Sequence, residues 1–83
     1  MFDKRDGKPP AAQKVFDAAD VGLVIRSRRK ELGYTQERLA TLTGMSPRLL
    51  GEIERGKRTT GIQRVLDLAT ALGIDLFLSV RGK

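Results

Sequence analysis

The sequence has no cysteine and no histidine. The first absence excludes disulfides and thiolate metal ligands, and the second removes the usual zinc-binding imidazole. Together they exclude a cysteine nucleophile and histidine acid–base chemistry. The lack of cysteine also fits a reducing compartment. Long apolar runs are missing too, so no membrane span is expected. Residues 1–6 (MFDKRD) carry charges of both signs and no apolar stretch follows, so no secretory leader is expected either. These absences predict a protein that stays in the cytoplasm.

The chain has 83 residues, enough for one domain. A core of that size without disulfides is marginal and is often supplemented by oligomerisation. Sixteen basic residues face ten acidic ones, giving a net charge of +6. Such a balance serves either solubility or a polyanionic partner, and placement decides between them. Arg26, Arg28, Arg29 and Lys30 form one cluster, and Arg55, Lys57 and Arg58 form another.

Residues 1–14 contain Gly7, Pro9 and Pro10 among mixed charges and few apolar groups, and read as a flexible N-terminal tail. Residues 15–73 are punctuated by helix signals. Asp17 with Asp20 makes a variant capping box, and Phe16 and Val21 stand at hydrophobic-staple spacing. Val21, Val24, Ile25, Arg28 and Leu32 follow helical periodicity up to Gly33. Thr35 starts a second helix with Leu39, Ala40 and Thr43 facing inward, ending at Gly44. Ser46, with Pro47 at the first helical position, starts a third, in which Leu50 and Ile53 point inward and which Gly56 closes. A fourth, carrying Ile62, Val65, Leu66, Ala69 and Leu72, begins near Thr60 or Gly61 and stops at Gly73. In residues 74–83 the pattern changes. Ile74, Leu76, Leu78 and Val80 alternate on one face, the one strand signal in the chain, with Phe77 on the other. A lone strand cannot satisfy its own backbone and leaves an apolar edge in water, so pairing with the same strand of a second copy is expected. The alternative is a tail that folds back on its own helices.

Residues 35–56 read TQERLATLTGMSPRLLGEIERG: two short helices joined by a turn at Gly44, with small Ala40 at the crossing and Leu39, Met45, Leu50 and Ile53 filling the angle. This pattern resembles the helix-turn-helix of the XRE and lambdoid-repressor family, from about Asp20 to Leu72. The likeness includes Ile25-Arg26, Arg29, Leu32-Gly33 and Ile53-Glu54-Arg55-Gly56, while Thr43 is more polar than is usual there. The resemblance implies a mainly α domain of four or five helices whose third helix enters the major groove.

On that mapping Ser46, Pro47, Arg48, Leu49 and Glu52 face the bases. Arg48 can grip guanine O6 and N7, or contact a phosphate, or pair with Glu52 one turn on. Leu49 can touch a thymine methyl or be one more exposed leucine. Glu52 can accept from cytosine N4 or pair within its helix with Arg48 or Arg55. Phosphate contacts are expected from Thr35, Gln36, Arg55, Lys57, Arg58 and Thr59, with Ser46 adding a hydroxyl at a helix start. Gln36 resembles the family's backbone-clamping glutamine, while the loop 57–59 also reads as an ordinary solvated basic turn. Arg29 and Glu54 match a partly buried ion pair that recurs in the lambdoid repressors, a structural role. Gly51, odd inside a helix, marks a close approach of DNA or of another helix.

The ending, residues 72–78 (LGIDLFL), and Val15-Phe16 before the first helix are most similar to HipB-like antitoxins. That resemblance implies a dimer paired through residues Ile74, Leu76, Phe77, Leu78 and Val80, an autorepressor of its own operon and a partner of a HipA-like kinase toxin. The alternatives are a stand-alone phage-type or host regulator, or a module that bridges proteins without reading DNA. An enzyme is not expected, since the carboxylates are scattered and no glycine-rich phosphate loop is present, and no cofactor or metal is expected. The expected partners are a near-palindromic duplex DNA operator and a second copy of the chain, which places the protein on the nucleoid.

Overall fold

The computed structural model describes residues 12–82. The expected flexible tail falls largely on residues 1–11, outside the described residues; residues 12–16 form no regular structure.

Four helices follow in order: α1 (Ala18–Glu31), α2 (Gln36–Thr43), α3 (Pro47–Glu54) and α4 (Ile62–Leu72). Three start on the expected side-chain caps. Asp17 accepts from the Ala19 amide, and its own N–H donates to Asp20 Oδ2 at 3.1 Å, closing the capping box. Thr35 Oγ1 accepts from the Arg38 amide at 3.0 Å and Ser46 Oγ from the Leu49 amide at 3.1 Å. Pro47 occupies the first turn of α3. The fourth start differs. Gly61 stands at the N-cap with φ 89° and offers no side-chain bond to the helix. At the turn between α2 and α3, Gly44 takes φ 70°, a left-handed conformation that favours glycine.

The core is Ile25 from α1, Leu39 and Ala40 from α2, Met45 from the turn, Leu50 and Ile53 from α3, and Leu68 and Leu72 from α4. Val21, Tyr34, Leu49, Val65 and Ile74 pack against it, partly buried. Two glycines set how closely α1 meets α3. A Cβ on Gly22 would stand 2.5 Å from the Ile53 carbonyl oxygen and 2.6 Å from that of Glu54, so backbone lies against backbone there. A Cβ on Gly56 would strike the Ala19 Cα at 2.7 Å. Thr43, polar at an inward position, turns its hydroxyl back to donate to the Leu39 carbonyl at 2.8 Å, which removes the cost of half-burying it.

Several sequence expectations are corrected. Phe16 is 85% exposed, so its staple with Val21 does not close. Its N–H instead donates to Asp20 Oδ2. Leu32, Ile62 and Leu66, all on expected apolar stripes, remain exposed. No fifth helix and no strand are present among the described residues. Residues 74–80 form no regular secondary structure. The reason is physical: a β ladder needs a second strand, and the described residues offer none. Nor does the segment fold back as a whole. Ile74 packs on the core, but Leu76 and Phe77 are exposed, and Leu78 and Val80 almost completely so.

Candidate nucleic-acid interface

The first turn of α3 stands at the surface because the helix buries only one stripe. Leu50, Gly51, Ile53 and Glu54 are buried, which turns Ser46, Pro47 and Arg48 outward. Leu49 is intermediate. Its side chain packs partly against the core, so it is less available than the neighbouring Arg48. The Arg48 side chain is 85% exposed and its Nε lies 3.5 Å from Glu52 Oε2. The same carboxylate oxygen receives Lys57 Nζ at 3.3 Å. The bond from Lys57 holds the Glu52 carboxyl below its ordinary range, with the charges of Lys57 and Arg48 adding to it and partial desolvation opposing. Glu52 is therefore a carboxylate at neutral pH, an acceptor shared by two cations. Exposed pairs of this kind are weak, so Arg48 can leave Glu52 for a better acceptor.

The residues expected on phosphates divide by partner. Thr35 and Ser46 accept helix amides through their hydroxyl oxygens, which leaves the hydroxyl protons to donate outward. Arg55 and Thr59 are exposed. Lys57 leans on Glu52, and Arg58, 80% exposed, pairs with Asp17 Oδ1 at 3.1 Å. The Asp17 carboxyl is held below its usual value first by the Ala19 amide and then by the Arg58 charge. Gln36 does not point freely outward. Its Nε2 donates to Glu54 Oε1 at 3.0 Å, and the residue is half-buried.

Glu54 is where three helices meet. Arg29 donates through Nε to Oε2 at 2.7 Å and through Nη2 to Oε1 at 3.1 Å, a two-pronged pair with both residues buried. Arg29 Nη1 also donates to the Tyr34 carbonyl at 2.8 Å. The expected ion pair is thus present, and Gln36 joins it. Gly51 lies buried beside this node. A Cβ there would lie 3.1 Å from Arg55 Nη1 and 3.7 Å from Gln36 Nε2, so its nearest neighbours are two polar side-chain ends and not the backbone of a crossing helix.

The basic run Arg26–Lys30 is not one patch. Arg29 is buried, and Arg28 Nε donates to the Leu72 carbonyl at 2.9 Å, closing the end of α4, while its Nη1 pairs with Glu31. Only Arg26 and Lys30 remain as exposed cations of that cluster. Arg26 lines a polar cleft with Arg29, Gln36, Glu54 and Arg55, at the junction of α1, α2 and the end of α3. Sequence reasoning assigned no role to Gly22 or to the Arg28 bond. A glycine inside an otherwise good helix was the available signal for the first; the second had none. Among the described residues no helix is long and apolar enough to cross a membrane.

A family model described as helix-turn-helix matches residues 25–78. The HTH-type transcriptional regulator y4mF of Sinorhizobium fredii is 32% identical over 72 residues, 87% of this chain and 95% of that protein. The HTH-type transcriptional regulator YazB of Bacillus subtilis is 47% identical over 54 residues, 65% of this chain and 78% of that protein. Among solved structures, HipB in a HipA–HipB–O2–O3 complex superimposes with a TM-score of 0.76 at 18% identity, covering 86% of this chain and all of that one. The restriction-modification controller protein C.AhdI of Aeromonas hydrophila gives a TM-score of 0.63 at 39% identity, over 71% of this chain and 86% of that one.

Proposed function

We propose a function from one premise: the chain belongs to the XRE-type helix-turn-helix family of transcriptional regulators. It is a sequence-specific repressor that reads duplex DNA with α3 and acts as a two-fold dimer. The observation that carries this reading is the first turn of α3, where Arg48 stands almost fully exposed and Arg55, Lys57 and Arg58 follow at the helix's far end. In this reading Arg48 takes guanine O6 and N7, Ser46 and Pro47 fit the groove wall, and Glu52 holds Arg48 or accepts from cytosine. Leu49 supports the helix from below. Thr35, Gln36, Arg55, Lys57, Arg58 and Thr59 hold phosphates and fix the register. Residues 74–80 pair with their counterparts in the second copy, which supplies the ladder partner that the described residues lack. Titration of the protein against its own upstream region at rising salt tests the reading. Log affinity falls steeply with log salt if phosphates are clamped, and a flat response ends it.

Two finer readings have separate support. The fold match that spans all of HipB supports an antitoxin that represses its own operon and binds a HipA-like kinase toxin. The higher identity to the controller protein supports a stand-alone regulator with no toxin. Co-purification from the native host with mass spectrometry separates them. A stoichiometric kinase-like partner favours the antitoxin; DNA without a protein partner favours the stand-alone regulator.

A further inference from the structure

The polar cleft between α1 and the end of α3 carries an unbalanced charge. Arg26, Arg29 and Arg55 bring three guanidinium groups to it, and its one carboxylate, Glu54, is consumed by the two-pronged pair with Arg29. Arg26 and Arg55 are exposed, and neither has an ion-pair partner among the described residues. The remaining lining residue, Gln36, spends one amide proton on Glu54 and keeps the second. Two guanidinium groups with no ion-pair partner among the described residues, one on α1 and one at the C-cap of α3, line one concave site and repel each other until an anion lies between them. Planar forks of this kind match the oxygens of a phosphate group.

We infer that this cleft is a seat for one backbone phosphate of duplex DNA, with Arg26 of α1 as a phosphate-contacting residue outside the helix-turn-helix unit, opposite Arg55 and beside Gln36. The inference rests on the proposed DNA reading and adds α1 to its contact surface. The buried pair has a positioning part. By holding Glu54, Arg29 keeps that carboxylate from Arg26 and Arg55, and Glu54 in turn holds the Gln36 amide in the lining of the cleft. Such a contact carries no sequence information and sets register instead.

The test uses the full chain and a mixed-sequence duplex of about two helical turns, titrated by fluorescence anisotropy at several salt concentrations. Arg26→Gln lowers the magnitude of the log–log salt slope by about 0.9 for each phosphate that is no longer neutralised, and weakens all duplex sequences about equally. Arg26→Lys keeps the slope near that of the parent and still binds more weakly, because the charge remains and the fork is gone. Arg64→Gln, an exposed arginine of α4 away from the cleft, leaves the slope unchanged. If Arg26→Gln matches the parent slope while Lys57→Ala lowers it, the cleft holds no phosphate and the DNA reading stands. If the parent itself binds the duplex with no salt dependence, both fall. Thermal melts of the variants check folding, and exposed Arg26 is expected to be replaced with a melting temperature near the parent's.

Discussion

Arg48 and Lys57 meet the same carboxylate, yet the proposed interface assigns them different work. Arg48 projects from the first turn of α3 with its fork free to turn, whereas Lys57 lies in the turn beyond the helix. Arg48→Ala is expected to cost about 1–3 kcal/mol of binding and to relax preference at one base position in each half-site. Lys57→Ala is expected to weaken all sequences alike and to lower the salt slope. Ranking a panel of operator variants for each protein checks the distinction, and an unchanged ranking for Arg48→Ala makes it a phosphate contact. At this scale the sequence was informative where a residue's chemistry is singular. The cap of Ser46, the pair of Arg29 with Glu54 and the outward Arg48 were all legible. The half-burial of Leu49 was not, because helical spacing puts it at the border of the apolar stripe and only the packing of the neighbouring helices decides such a position. Gly22 escaped for a similar reason, since its need for space comes from carbonyl groups about thirty residues away.

Between elements, charge carries much of the joining. Glu54 binds Arg29 and Gln36 at once, with no buried polar side-chain atom among the described residues left without a partner. Glu54→Gln strands the Arg29 guanidinium in the interior and is expected to cost about 3–5 kcal/mol, whereas replacing both residues with apolar side chains of similar volume costs far less. Urea unfolding of the single and double variants checks this; equal losses in both would mean the pair contributes through packing alone. The start of α1 gives a prediction in pH. The Asp17 carboxyl, lowered in the fold by the Ala19 amide and the Arg58 charge, contributes stability above its unfolded pKa of about 3.9. That contribution is lost as pH falls through the lower folded value. Asp17→Asn keeps a capping oxygen but cannot titrate, so its melting temperature is expected to fall less steeply than the parent's below about pH 4. An identical acid slope in the two proteins would place the titration elsewhere.

For the molecule as a whole, the order and number of the main helices were readable from caps, glycine stops and periodicity. The last segment was only half readable. The alternation of residues 74–80 is present in the sequence, but it forms no strand in the structure, since a ladder needs a second strand that the described residues do not supply. Leu76, Phe77, Leu78 and Val80 stand exposed there. In the proposed dimer these groups meet their counterparts, and the two-fold axis sets two α3 helices one DNA turn apart, about 34–36 Å. Leu78→Pro removes a ladder donor and fixes the backbone angle. It is expected to give monomers or aggregates with much weaker operator binding. Sedimentation read beside a binding titration checks it, and a dimer that binds as tightly as the parent would place the seam elsewhere.

The three-way node at Glu54 also governs how the molecule opens. With α1 and α2 both bonded to the last residue of α3, none of the three can loosen alone without stranding a buried charge or amide. The amides of Ile25, Leu39, Ala40 and Ile53 should therefore exchange with solvent deuterium only when the whole domain opens, all with one free energy that shifts together with denaturant. The first turn of α4, which begins at Gly61 without a side-chain cap and with Ile62 exposed, should exchange sooner. In the proposed reading, an α3 that exchanges only by global opening meets DNA only as part of the intact fold. Occupancy on an operator is then expected to follow the stability of the entire fold, so that a change far from the groove alters binding through the fraction of chains that are folded.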